Sequence, residues 1–279
     1  MGMSRARKDE FKRKHPWCIF CGGVAIMTTI EHCPPRAMFQ GRHAPEGFEF
    51  PACSNCNHGS ADDDLIVAFL ARINPFEGSD RGDGRFRELA KSIRQKHPGL
   101  IEKMFPTATE ARRLNKTFGL RAPPGKTQQE SGVSKCPAEI HQAIAVFAAK
   151  LSKAIYYLET EKIFPENGEL VMKWTANSEL VSRGGYTLIE TLTDLPGVEP
   201  VLKRGGTHLN SQFAYKLSMA NENEFFAIQA VFGFGFSIVV FGSTTVGEFE
   251  DQRKLLQRNF GKTSNFVMIA PRIVQAEPT

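Results

Sequence analysis

Cys18-Ile19-Phe20-Cys21, Thr29-Ile30-Glu31-His32-Cys33-Pro34-Pro35 and Cys53-Ser54-Asn55-Cys56-Asn57 lie in one short stretch, residues 18–57, and decide how the chain is read. Two residues between paired thiols let a tight turn aim both sulfurs at one ion, and two such turns complete a tetrahedral four-cysteine zinc site. The turn chemistry fits. Gly22 and Gly23 follow the first pair and tolerate positive φ, while Ser54 and Asn55 supply small polar turn residues within the second. The competing readings are four unligated buried thiols or a thioredoxin-like redox pair. The redox pair needs a Cys-x-x-Cys set in a βαβ unit, which neither pair has.

Outward from these turns, residues 17–60 read as one small zinc-bound unit. It holds a knuckle, a β-type run through Val24, Ile26 and Ile30, a Pro/Gly-rich loop from Cys33 to Gly47, a short run Phe48 to Ala52, and the second knuckle. Asp62 to Asp64 form an acidic first turn for a helix through Leu65, Ile66, Phe69, Leu70 and Ile73, ending before Pro75.

The ordered set of Cys pair, Glu31-His32, Pro34, Cys pair and Asn57 resembles the HNH nuclease superfamily, in the zinc-containing branch of the endonuclease VII type. The resemblance covers residues 17–62 and implies a treble-clef-like ββα-metal fold, with a structural zinc on Cys18, Cys21, Cys53 and Cys56. It further implies Glu31 and Asn57 as ligands of a catalytic Mg²⁺ or Mn²⁺ and His32 as general base. An additional Asn ahead of the second Cys pair is absent; Gly47, Phe48 and Glu49 stand there. The implied activity is a metal-dependent endonuclease acting on nucleic acid, DNA ahead of RNA.

The residue types suit that chemistry independently. Histidine has the unperturbed pKa nearest neutrality and can take a proton from water, and a carboxylate with an amide oxygen suits a hard divalent cation. Adjacent side chains on a strand point to opposite faces, so Glu31 and His32 share one phosphate only if the strand ends or twists there. Pro34 and Pro35 are expected to end it. His43 and His58 are candidate supplementary ligands or exposed loop histidines, and Cys33 reads as a small buried thiol. Cys136, His97, His141 and His208 have no partner visible in sequence.

Charge near this unit reads either as an ordinary solvated surface or as an attraction for a polyanion such as nucleic acid. Of 279 residues, residues 1–135 hold 22 basic and 15 acidic side chains (net +7) and residues 136–279 hold 13 and 15 (net −2). A basic arm, residues 1–16, carries Lys12, Arg13 and Lys14 ahead of the zinc unit, and Arg36 and Arg42 follow His32; these are the candidate nucleic-acid contacts.

The expected organisation is the arm 1–16, the zinc-binding HNH-like domain 17–73, a helical extension 74–121, a linker 122–135 and a C-terminal α+β domain 136–279. Helices are expected over Arg85–Lys96, Thr107–Phe118 (opened by the capping-box spacing Thr107 to Glu110) and Ala138–Glu161. Strands are expected over Tyr186–Leu192, Gln212–Ala220, Phe225–Phe232 and Ser237–Phe241, with Asn221–Glu224 as a hairpin turn and Gly233 and Gly235 as a bulge or bend. From Glu248 the tail reads as helical and then extended through Phe266–Ile269. The longest apolar run, Ala230–Phe241, falls short of the roughly 18 residues a membrane span needs, and the charged N-terminus lacks a signal-peptide core, so a cytoplasmic protein is expected.

Two further functional classes compete with the nuclease. One is a catalytically inactive zinc-binding module for nucleic acid or protein. The other is a protein or small-ligand binding role in the C-terminal half, with the zinc unit as accessory.

Overall fold

The computed structural model describes residues 5–74, 84–122, 124–131, 133–249 and 267–269 of the chain. The turn-rich break expected around Asn74–Gly84 and the helical reading of the tail fall mainly outside these residues. The fold is mixed helix and sheet, as expected for α+β.

Helix α1 (Arg5–Lys14) leads into the first knuckle, followed by β1 (Thr29–His32), β2 (Glu49–Ala52), α2 (Ser54–Gly59) and α3 (Ala61–Ala71). Strands β1 and β2 pair antiparallel, placing Thr29 opposite Ala52, Glu31 opposite Phe50 and His32 opposite Glu49. Gly22 takes φ +71°, and a Cβ there would meet the backbone of Glu166 at 2.5 Å, so the knuckle needs its glycine on both counts. Helices α4 (Arg85–Lys96), α5 (Leu100–Met104) and α6 (Ala108–Phe118) follow, α6 with the reciprocal Thr107/Glu110 capping box.

The central element is α7 (Ala138–Thr160). After it come β3 (Glu169–Ala176), α8 (Ser178–Arg183), α9 (Thr187–Thr191), a small hairpin of β4 (Lys203–Arg204) and β5 (Thr207–His208), then β6 (Ala214–Ala220), β7 (Phe225–Phe232), β8 (Phe236–Ser243) and β9 (Val267–Ile269). Antiparallel strands in the order β6-β7-β8-β3-β9 make the main sheet. Strand β8 is buried throughout because both sheet faces are covered. Phe236, Ile238 and Val240 join the main core, where Phe147 of α7 packs on Phe232 and Phe236; Val239 and Phe241 join a second cluster with Leu188 of α9 and Phe249.

Several sequence expectations are corrected here. Residues 186–192, expected as a strand, form α9. Leu188, Ile189 and Leu192 all pack on the outer cluster, a helical spacing that outweighs the β propensity of the segment. Gly233 and Gly235 lie in the β7–β8 turn, the bend rather than the bulge of the two alternatives expected there. The three residues Asn221, Glu222 and Asn223 take positive φ, making the expected hairpin turn tight. Strand β3, paired between β8 and β9, corresponds to no sequence expectation.

The main core is continuous across the segment 122–135. Buried Phe20, Phe50, Ile66 and Phe69 belong to the same cluster as Ile144, Phe147, Leu151, Phe213 and Phe232. Helices α3 and α7 pack directly on each other, so one apolar interior serves both halves. Among the described residues, no helix is long and apolar enough to cross a membrane.

Candidate metal centre and basic face

The first knuckle closes through Cys18 N donating to Ala25 O at 2.9 Å and Gly23 N donating to Cys18 O at 3.0 Å. Cys53 caps α2, its Sγ accepting from Cys56 N at 3.5 Å. The strands and α2 thus bring Cys18, Cys21, Cys53 and Cys56, all buried, to within 4.8 Å of one another at their sulfurs. Tetrahedral zinc, with Zn–S near 2.3 Å, needs sulfurs about 3.8 Å apart, and the residues present fit it. The group can hold a zinc ion.

Four thiolates on a divalent ion leave two negative charges in a buried setting. Lys153, 1% exposed, lies beside them with Nζ donating to Phe20 O inside the knuckle. Burial pulls its pKa down to about 8, opposed by the charges of Cys56, Cys21 and Cys18.

Strand β1 presents two chemically different faces. On one, Glu31 is 6% exposed and its Oε1 accepts from Lys150 Nζ at 2.8 Å. The same ammonium donates to Asp64 Oδ2 at 2.6 Å and Ser60 Oγ at 2.8 Å, so β1, α3 and α7 meet at one buried cation. Burial, partly offset by Lys150, raises Glu31 to about 7 and raises Asp64 as well; the same two carboxylates hold Lys150 above its ordinary value against the burial that would lower it.

On the other face stands His32, half-buried at the end of β1 and directly opposite Glu49 of β2. Burial lowers its pKa; the charges of Arg36, Arg204 and Arg42 act in the same direction, and Glu49 opposes them. Burial and these three positive charges thus favour the neutral form of the imidazole. Arg36 Nε donates to Arg42 O at 3.2 Å, which ties the two arginines of the loop together.

This geometry corrects the expectation for Glu31. Ending β1 at His32 does not turn Glu31 and His32 to one side; they keep the alternation of a strand. Asn57 Nδ2 donates to Thr29 Oγ1 at 3.0 Å and Ile30 O at 3.4 Å, fastening α2 to β1. An ammonium already occupies Glu31's carboxylate on the face away from His32, so these residues do not fit a Mg²⁺ or Mn²⁺ held by Glu31 and Asn57 beside His32.

The other candidates are placed as follows. Lys12, Arg13 and Lys14 are exposed in the last turn of α1, Lys14 paired with Glu10 at 2.9 Å, and Arg7 of the same helix reaches Glu49 at 3.6 Å. His58 is exposed and bonded to Ser54 Oγ at 3.0 Å; His43 is exposed in its loop. Cys33 is fully buried, with a thiol pushed well up by burial, as a structural cysteine would be. Cys136 is likewise raised, to about 11. His141 accepts from Trp174 Nε1 at 3.1 Å, and His208 lies on the β4–β5 hairpin.

Sequence reasoning missed Lys150, Lys153, Ser60, Arg204 and the pairing of Glu49 with His32. Only the lysines left a signal: Ala148-Ala149-Lys150-Leu151-Ser152-Lys153-Ala154 puts two charges inside an otherwise apolar helical run, and such charges require buried partners. The chain matches no family model, and no curated protein or solved structure matches it.

Proposed function

We propose that this protein is a zinc-stapled, HNH-type endonuclease that hydrolyses phosphodiester bonds of nucleic acid, DNA ahead of RNA, with His32 as general base and zinc on Cys18, Cys21, Cys53 and Cys56. The observation that carries the reading is the setting of His32: an imidazole whose neutral form is favoured, at a strand end, with the charges of Arg36, Arg42 and Arg204 around it. Guanidinium groups recognise phosphate oxygens by paired hydrogen bonds. A phosphate gathered there has beside it a ring nitrogen able to accept a proton from water. Glu31 and Asn57 act in this reading as the braces of β1: Glu31 ties it to α3 and α7 through Lys150, and Asn57 ties it to α2.

The Lys150–Glu31 pair favours a second reading, a zinc-stapled binding module without cleavage, because the acidic residue that the HNH resemblance assigns to the cation is neutralised by lysine. A supercoiled-plasmid nicking time course in Mg²⁺, Mn²⁺ or EDTA separates the two. The nuclease reading expects wild-type cleavage, with His32→Ala slower by about 10²–10⁴ and unchanged in zinc content. Retarded but uncut plasmid in every condition gives the binding module, and undiminished cutting by His32→Ala removes His32 as base.

A further inference from the structure

The basic face at His32 is not built by the N-terminal half alone. The loop carrying Arg36 and Arg42 is bonded at three points to residues 203–212: Glu46 N donates to Lys203 O at 3.0 Å, Gly205 N donates to Glu46 Oε1 at 2.9 Å, and Gln40 N donates to Gln212 Oε1 at 2.7 Å. Edge-on contacts of Phe213 with Phe39 and Phe48 lie beneath these bonds. Loop and hairpin are thereby joined into one surface.

The β4–β5 hairpin itself is built to project. Leu202 and Leu209, both buried in the main core, bond to each other through Leu209 N and Leu202 O at 2.9 Å and clamp its base. Asn210 adds a second clasp, its Oδ1 accepting from Leu202 N at 2.9 Å and its Nδ2 donating to Pro200 O at 3.0 Å. Beyond this base, Lys203, Gly205, Gly206, Thr207 and His208 are exposed, and Arg204 is half-buried on the side whose charge reaches His32. Gly205 and Gly206 both take positive φ, and a Cβ on either would meet nothing within 4 Å, so the tip is open to an incoming molecule. A short basic hairpin with a glycine tip can lie close along a phosphate backbone, where its cationic side chain serves as donor.

We propose that the β4–β5 hairpin of the C-terminal half is a nucleic-acid backbone clamp, in which Arg204, on the hairpin face whose charge reaches His32, binds a phosphate flanking the one held there. The inference rests on the nucleic-acid reading above and adds a second wall to that site, from the half with the lower net charge. Without the hairpin the His32 face keeps the arginines of one loop; with it, a strand of nucleic acid is held from both sides.

The test is fluorescence anisotropy of a labelled DNA duplex of about 20 base pairs over a series of salt concentrations, with the full-length zinc-loaded protein. Each phosphate contact contributes about 0.9 to the slope of log K against log salt. The variant Arg204→Gln should therefore lower the slope by about 1 and weaken binding at low salt by about tenfold. Its unfolding midpoint should stay unchanged, because the hairpin base is untouched. A control pair on exposed positions elsewhere, Lys116→Gln/Lys126→Gln, should leave the slope as in wild type. An unaltered slope in the hairpin variant, or an equal loss in the control, overturns the clamp while leaving the His32 reading intact. Absence of duplex binding by the wild type overturns both.

Discussion

Lys150 brings one positive charge to a buried site with two carboxylates, and this imbalance has a thermodynamic consequence. One ammonium cannot neutralise both Glu31 and Asp64 away from water, so burial favours a proton on the pair, and Glu31 rises from 4.5 to about 7. Asp63, next to Asp64 on α3, is raised to about 6 by burial and by that neighbour. The folded state thus holds protons that the unfolded chain releases in the ordinary carboxylate range. Stability from this cluster is fully present below about 4.5 and is lost as pH rises through about 7, by an amount on the order of 3 kcal/mol for Glu31. Glu31→Gln keeps an oxygen for Lys150 to bond while removing the charge. Its unfolding midpoint relative to wild type should therefore climb between pH 5 and pH 8, measured by thermal denaturation at matched ionic strength. A difference that stays flat or narrows with pH contradicts the protonated pair.

At the scale of elements, α7 links the zinc knuckle and the acidic side of β1, since Lys150 and Lys153 stand three residues apart on its buried face. The zinc turns in exchange hold β1, β2 and α2 in the register that places both carbonyl and carboxylate partners over those lysines. Cys53→Ser removes one of the four candidate zinc ligands and the cap of α2 together. It should release the metal and, because α3 and α7 share one core, lower the unfolding midpoint of the whole molecule in a single transition. Zinc analysis with calorimetry checks this; retained zinc, or a separate low-temperature transition confined to part of the chain, contradicts it. Elements whose signals are local were legible in sequence. The Cys pairs, the capping box of α6, the apolar period of α7 and the apolar run of β7 each lie within a few neighbouring residues. Pairings that depend on distant chain were not. Lys150 meets Glu31 across 119 residues of sequence, and no periodicity announces it. Likewise, the two faces of β1 are distinguished only by what packs on each, so the sequence reading placed Glu31 and His32 at one centre where the strand separates them.

The whole molecule is governed by the core that crosses residues 122–135. A linker-like composition identifies a segment that is easy to cut, but independence of the flanking parts depends on whether apolar surface is shared across it. Here it is shared. Phe147, Leu151 and Ile155 of α7 bury against a cluster that includes residues of the zinc unit, and Lys150 and Lys153 find their partners there. A chain of residues 136–279 alone would expose that apolar face to water, and Lys150 and Lys153 would lose the Glu31 and Asp64 carboxylates and the Phe20 carbonyl. Each large apolar side chain left in water forfeits about 1.5–3 kcal/mol, a large share of the stability of an ordinary domain. Residues 136–279 expressed alone should therefore lack cooperative unfolding and dispersed amide resonances, whereas intact protein nicked once within residues 122–135 should stay associated and keep its unfolding midpoint within a few degrees. Gel filtration of the nicked protein and a nitrogen–proton correlation spectrum of the isolated fragment decide the matter. A dispersed spectrum with a sharp melt from residues 136–279 would show that the sheet and α7 can close a core without the zinc unit, and would return the molecule to two separable domains.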